Sequence, residues 1–192
     1  MTDLQRYCEK IAASCSAIPE VRKLVLDRLA AYIISKKKAG ETVRLIYICT
    51  HNSRRSHFGQ IWAQVAADYY GIDDVQSFSG GTEATAFNVN ARASLQRIGF
   101  QIGAEGDKPN KRFQLTYSPS KPPIICFSKT FDDPYNPKSG FAAVMTCSDA
   151  EVNCPFVPGA ELRVATTYDD PKAADGTPLQ DQTYDDRCRQ IA

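Results

Sequence analysis

Cys49 and Arg55 are separated by five residues, and Ser56 follows the arginine at once. A thiol at the floor of a tight loop, beside a permanently charged planar fork of donors, suits attack on a tetrahedral oxyanion held by that loop. The residues between them fit such a cradle. Asn52 tolerates the left-handed backbone needed when successive N–H groups point inward. Ser56 can donate to the sulfur, and positive potential at a helix N-terminus beside arginine favours the thiolate, the reactive form. Thr50, His51, Asn52, Ser53, Arg54, Arg55 and Ser56 are therefore the expected oxyanion-binding residues, with Cys49 the nucleophile. His51 and His57 could be bases, but without metal-ligand spacing they read as loop-surface residues. No metal is expected.

A cradle of this kind needs a strand to deliver the cysteine and a helix to receive the loop. Val43–Ile48 is an apolar run that supplies the first. A helix to about Tyr70 supplies the second, with Phe58, Ile61, Trp62, Val65 and Tyr69 as its apolar stripe and Gly71 as its stop. Val75–Phe78 reads as another strand. It leads to Ser79-Gly80-Gly81-Thr82, where paired glycines allow close backbone approach beside the cradle. Asn90 is the expected cap of a third helix ending at Gly99. Strand, helix, strand, helix predicts a parallel sheet with right-handed crossovers and a site at the strands' carboxyl ends. The pattern resumes with Phe141–Thr146, which ends on Cys147, and with a strand near Leu162–Thr166. The segment from Ser148 to Asn153 between Cys147 and Cys154 reads as flexible. The polar tail shows a helix only as it reaches Ile191.

Residues 1–40 read as an N-terminal helical extension of two helices packed on the core, with Pro19 in the second helix's first turn. Lys36, Lys37 and Lys38 read as a solvated helix end. Residues 41–192 form the α/β domain, with a proline-punctuated insertion at 103–140 holding two short strands around Phe113–Tyr117 and Ile124–Phe127. Cys8, Cys15 and Cys126 read as small buried hydrophobes. The whole chain of 192 residues, 43% hydrophobic and 23% charged with net charge +1, is ordinary for a globular protein and offers no general pull toward nucleic acid or membrane. No apolar run reaches the ~20 residues that span a bilayer, and the first residues lack a signal peptide's order. A cytoplasmic location is expected, where seven cysteines are free, catalytic or redox-active rather than a disulfide framework.

Cys49-Thr50-His51-Asn52-Ser53-Arg54-Arg55-Ser56 resembles the phosphate-binding loop of the low-molecular-weight tyrosine phosphatase superfamily. Ser79-Gly80-Gly81-Thr82-Glu83 is similar to its segment after the second strand, making Ser79 a supporting residue. Cys147-Ser148-Asp149-Ala150-Glu151-Val152-Asn153-Cys154-Pro155, then Tyr168-Asp169-Asp170-Pro171, resemble the thioredoxin-coupled arsenate reductase branch. The resemblance covers roughly Val43–Ile102 and Phe141–Pro171. It implies a three-layer α/β fold, a four-stranded parallel sheet with helices on both faces.

It also implies a reaction. Cys49 would attack arsenate, Asp170 would protonate the departing oxygen, and Cys147 and then Cys154 would resolve the adduct as disulfides that thioredoxin reduces. No bound cofactor is implied. The alternative is a phosphatase hydrolysing phosphotyrosine or small phosphoesters through a Cys49–phosphate intermediate. Asp133, in a second Asp-Asp-Pro, competes for the acid role but precedes the third main strand, whereas the family's acid follows the fourth. Three positions depart from the family. Arg54 adds charge at the loop rim, Gln60 stands where some relatives place a potassium-binding glutamate, and Lys172-Ala173-Ala174 offers no aromatic pair after Asp170-Pro171. The last favours a small inorganic anion.

Overall fold

The computed structural model describes residues 2–105, 110–154 and 156–192, so Pro109 and Pro155 lie outside the described residues. Helix α1 (Asp3–Ser14) opens with a capping box in which Thr2 and Gln5 satisfy each other's backbone N–H. Helix α2 (Glu20–Lys38) follows Pro19, which is its N-cap rather than a residue of its first turn. Its lysine end is tied down rather than freely solvated. Lys36 pairs with Glu41 and Glu161 at 2.7 Å each, and Lys37 donates to the Asp73 carbonyl.

Strand β1 (Val43–Cys49) then leads to α3 (Arg55–Tyr69), β2 (Val75–Gly81) and α4 (Val89–Ile98). Asn88, not Asn90, caps α4: its Oδ1 accepts from the N–H groups of Asn90 and Ala91. Asn90 is already helical, and its amide reaches Asp175. Gly99 ends the helix at φ 115°, a left-handed position that glycine takes without strain.

Three strands follow, β3 (Gln101–Glu105), β4 (Arg112–Thr116) and β5 (Ile124–Cys126), in an antiparallel sheet of order β3-β4-β5. The sequence suggested two. β3 is mostly exposed and joins through backbone pairing with β4, so its side chains carry little pattern. Phe113 and Leu115 alternate inward on β4. β6 (Phe141–Met145), α5 (Ser148–Asn153), β7 (Ala160–Ala165) and α6 (Gln180–Ile191) complete the chain. The segment expected to be flexible is therefore helix α5, and the tail expected to be polar coil is α6. Tyr184 and Cys188 are the buried residues of α6, with Ile191 partly buried beside them and polar residues elsewhere, too thin an apolar stripe to show in sequence.

β1, β2, β6 and β7 form one parallel sheet in the order β2-β1-β6-β7. Helices cover both faces, giving three layers. Val43, Leu45, Ala142, Val144 and Val164 pack against Leu29 of α2 and Ala63 of α3. Ile46, Ile48, Ala143 and Met145 form the opposite face with Ala150 of α5 and Phe131. A third cluster joins Leu4 of α1 to α3, α4, α6 and the small sheet. Trp62 lies within it, stacked on Tyr7 with ring centroids 5.6 Å apart. Cys126 is buried there too, whereas Cys8 is half-buried and Cys15 is exposed where α1 gives way to a short 3-10 turn. Among the described residues, no helix is long and apolar enough to cross a membrane.

Candidate active site

β1 ends on Cys49, and the loop to α3 is shaped by its carbonyls. The oxygens of Cys49 and Thr50 accept from the N–H groups of Thr82 and Glu83, and that of Ser53 from Asn88. The His51 carbonyl accepts from the hydroxyls of Thr85 and Ser128. With those oxygens fixed outward, the intervening N–H groups are left to the concave side, as an anion nest requires. Asn52 sits at φ 43°, the left-handed backbone its residue type tolerates. The paired glycines let β2 come this close. A Cβ on Gly81 would lie 2.5 Å from the Thr50 oxygen and 2.7 Å from the Asn52 nitrogen, and one on Gly80 would lie 2.4 Å from the Phe131 Cα.

Inside the loop, Asn52 Nδ2 donates to Ser56 Oγ at 2.8 Å, and Ser56 Oγ lies 3.1 Å from Cys49 Sγ. Asn52 Oδ1 accepts the Lys129 N–H, so the insertion fixes the loop's left-handed residue. Arg55 is nearly buried, and its two terminal nitrogens are engaged: Nη1 donates to the Tyr168 carbonyl at 2.8 Å and Nη2 to Asp170 Oδ2 at 2.7 Å. Asp170 Oδ1 also accepts the Lys172 N–H, which closes the short 3-10 turn Pro171–Ala174. Asp133 instead closes a turn through the Tyr135 N–H. The structure thus brings Asp170, and not Asp133, to Arg55.

Cys147 lies at the end of β6, whose register with β1 sets Met145 opposite Ile48. The Cys147 sulfur is 3.5 Å from Thr50 Oγ1 and accepts the Ala150 N–H as the cap of α5. Cys154 closes α5 at its other end, its thiol on the Phe156 carbonyl. Cys49, Cys147 and Cys154 share one buried cluster. Burial pushes the Cys154 thiol up, with Arg163 acting against that shift. Arg163 holds α5 through the carbonyls of Glu151 (2.6 Å) and Cys154 (3.1 Å).

Four positions differ from expectation or extend it. His57 is not on the surface: it is fully buried, Nδ1 3.2 Å from Ser79 Oγ and its ring centroid 4.1 Å from that of Phe87. Burial, and next the charge of Lys129, hold its pKa well below the ordinary imidazole value. Ser79 reaches the first turns of α3 rather than the loop, donating also to Gln60 Oε1 at 2.7 Å. Gln60 further donates to the Ile125 carbonyl, so both ends of its amide are used. Arg54 folds back from the rim onto the Tyr184 hydroxyl at 2.9 Å, with Asp170 and Asp175 each 3.8 Å away. His51 is exposed and pairs with Glu83. Sequence reasoning missed Tyr184, Lys129 and the Tyr168 carbonyl. A backbone oxygen leaves no residue-type signal, and Lys129 reads as a surface lysine although burial lowers its pKa to about 8. No group of three or more metal-ligating side chains occurs among the described residues.

A four-stranded parallel sheet, a cysteine-to-arginine loop at its carboxyl end and an aspartate on that arginine define an α/β protein of the low-molecular-weight tyrosine phosphatase fold. A low-molecular-weight phosphotyrosine phosphatase from Vibrio cholerae O395 superposes with a TM-score of 0.52 at 13% identity, over 78% of this chain and 89% of its own. Within that class the sequence is similar to arsenate reductases. The arsenate reductase of Bacillus subtilis is 28% identical over 145 residues, 76% of this chain and 86% of the relative. That of Staphylococcus aureus strain Newman is 29% identical over 128 residues, 66% and 77%. No protein-family model matches the chain.

Proposed function

We propose that this protein reduces arsenate to arsenite through a three-cysteine relay regenerated by thioredoxin. The observation that carries the reading is the gathering of Cys49, Cys147 and Cys154 into one cluster beside the oxyanion loop. Similarity to arsenate reductases over three quarters of the chain supports it.

The residues divide the work as follows. The loop N–H groups and Arg55 take the oxyanion, whose charge competes with Asp170 and the Tyr168 carbonyl for the guanidinium. Cys49, with Ser56 donating to its sulfur, attacks arsenic and forms an S–As bond. One arsenate oxygen leaves as water, with Asp170 in its acid form as the proton source. Cys147 then attacks the Cys49 sulfur. The S–As electron pair passes to arsenic, so As(V) becomes As(III) and a Cys49–Cys147 disulfide forms. Cys154 attacks Cys147, releasing Cys49 as thiolate and leaving a Cys147–Cys154 disulfide for thioredoxin to reduce.

The test is arsenate-dependent NADPH oxidation with thioredoxin and its reductase. Turnover by the wild type and its loss in Cys49→Ser and in Cys154→Ser are expected. Absent wild-type turnover, or undiminished turnover in Cys154→Ser, would overturn the proposal. Phosphoester hydrolysis that survives loss of Cys147 and Cys154, with no arsenate reduction, would establish a phosphatase instead.

A further inference from the structure

The acid-bearing segment between β7 and Asp170 is gripped by the N-terminal helical arm. Arg22, in the first turn of α2, donates from Nη2 to the Thr167 carbonyl at 2.9 Å. Its guanidinium also lies over the Tyr168 ring, 4.7 Å from the centroid. The adjoining Tyr168 peptide is held from two more sides: its N–H donates to the Thr146 carbonyl, and its own carbonyl accepts from Arg55. Two residues on, Asp170 accepts from the same guanidinium. Arg22 is itself fixed, because α2 is fastened along β7 by Arg28 on the Arg163 carbonyl and Tyr32 on Glu161. The helical arm therefore reaches within one residue of the carbonyl that aims Arg55.

We propose that Arg22 is a positioning residue, holding Thr167–Tyr168 so that the Tyr168 carbonyl and Asp170 meet Arg55 in a single arrangement. This rests on the reading of Asp170 as the proton donor. The arm is then part of how the site is assembled. A guanidinium that both bonds a carbonyl and covers an aromatic ring fixes direction as well as distance.

Two measurements on Arg22→Gln, each on the full chain, test this. The first is amide hydrogen exchange over 167–172, which needs no substrate. Exchange there roughly fivefold faster, with 43–49 unchanged, is expected. Unchanged exchange at 167–172 overturns the proposal whether or not the protein reduces arsenate. The second is kcat for arsenate reduction in a cycle with Asp170→Asn. Loss of about tenfold is expected in the wild-type background and little further loss in Asp170→Asn, with Arg22→Lys recovering most of it. Equal losses in both backgrounds would mean a merely structural role and overturn the proposal. Failure of the wild type to reduce arsenate would sink the assigned reaction, while the exchange measurement would still decide the positioning.

Discussion

Asn52, Ser56 and Cys49 form a chain of side chains, amide to hydroxyl to sulfur, at 2.8 and 3.1 Å. Because the Asn52 amide already donates to Ser56, the hydroxyl hydrogen is free to point at sulfur. Ser56→Ala removes that donor and leaves a buried amide unpaired. Alkylation of Cys49 by iodoacetamide at pH 7 should slow by about tenfold, the worth of one hydrogen bond to a charged group. The Ser56 contact with Cys49 and the left-handed Asn52 were legible in sequence, because residue types and spacing state that chemistry, whereas the Asn52 side-chain bond to Ser56 was not. Nor was His57. It lies one residue past the loop and reads as polar, yet it is sealed under Phe87. Its lowered pKa has a consequence whose sign is fixed: the unfolded chain takes up a proton near pH 6.5 and the folded one does not. Stability is unaffected well above that pH and falls below it. Between pH 6.5 and 5.5, wild type should lose about 1 kcal/mol more than His57→Gln, measured as urea unfolding free energy. Parallel losses would show that the imidazole is charged in the fold.

Helix α5 presents a conflict between structure and relay. Seven residues of helical rise separate Cys147 from Cys154 by roughly 10 Å, whereas a disulfide needs Cα atoms within about 7 Å. The pair cannot bond while α5 is wound, so the second exchange requires unwinding. Arg163 opposes this, with hydrogen bonds to the Glu151 and Cys154 carbonyls and an ion pair to the Glu151 carboxylate. Arg163→Ala should therefore release the segment. Exchange at residues 150–154 and alkylation of Cys154 in the reduced protein are each expected to rise about tenfold, the loss of one or two such bonds. No change in either would show that α5 opens without regard to Arg163. The sequence hid this helix because Ser148–Asn153 is a mostly polar turn and a half, held by its cap at Cys147, its clamp at Arg163 and the burial of Ala150 alone. The parallel strands were readable because β6 is a continuous apolar run and β1 is one broken only at Arg44, as suits strands covered on both faces.

Across the molecule, the arm, the small sheet and α6 are not appendages around an independent α/β core. Leu4, Phe113, Leu115, Tyr184 and Cys188 share one buried cluster with Phe58, Ile61 and Trp62 of α3, the helix that starts at the oxyanion loop. No sequence pattern announces this, since the contributing segments lie up to about 180 residues apart and each shows only a short or broken stripe. Trp62, the chain's single tryptophan, marks the junction. Tyr7 of α1 stacks on it, Phe100 meets it edge-on at 5.7 Å, and its Nε1 donates to Cys188 of α6 at 3.2 Å. Loss of α1 or α6 from the fold would expose its ring. If the three elements and the sheet form one cooperative unit, Trp62 fluorescence and far-ultraviolet circular dichroism must report the same urea midpoint and the same slope. Coincident transitions are expected. A fluorescence change completed at lower urea, before the helical signal falls, would show that the arm or α6 detaches while the sheet survives, and the cluster would then be two units in contact. Thr2→Ala refines the measurement. It removes the α1 capping box and should lower both midpoints together by the equivalent of about 1 kcal/mol, rather than shifting fluorescence alone.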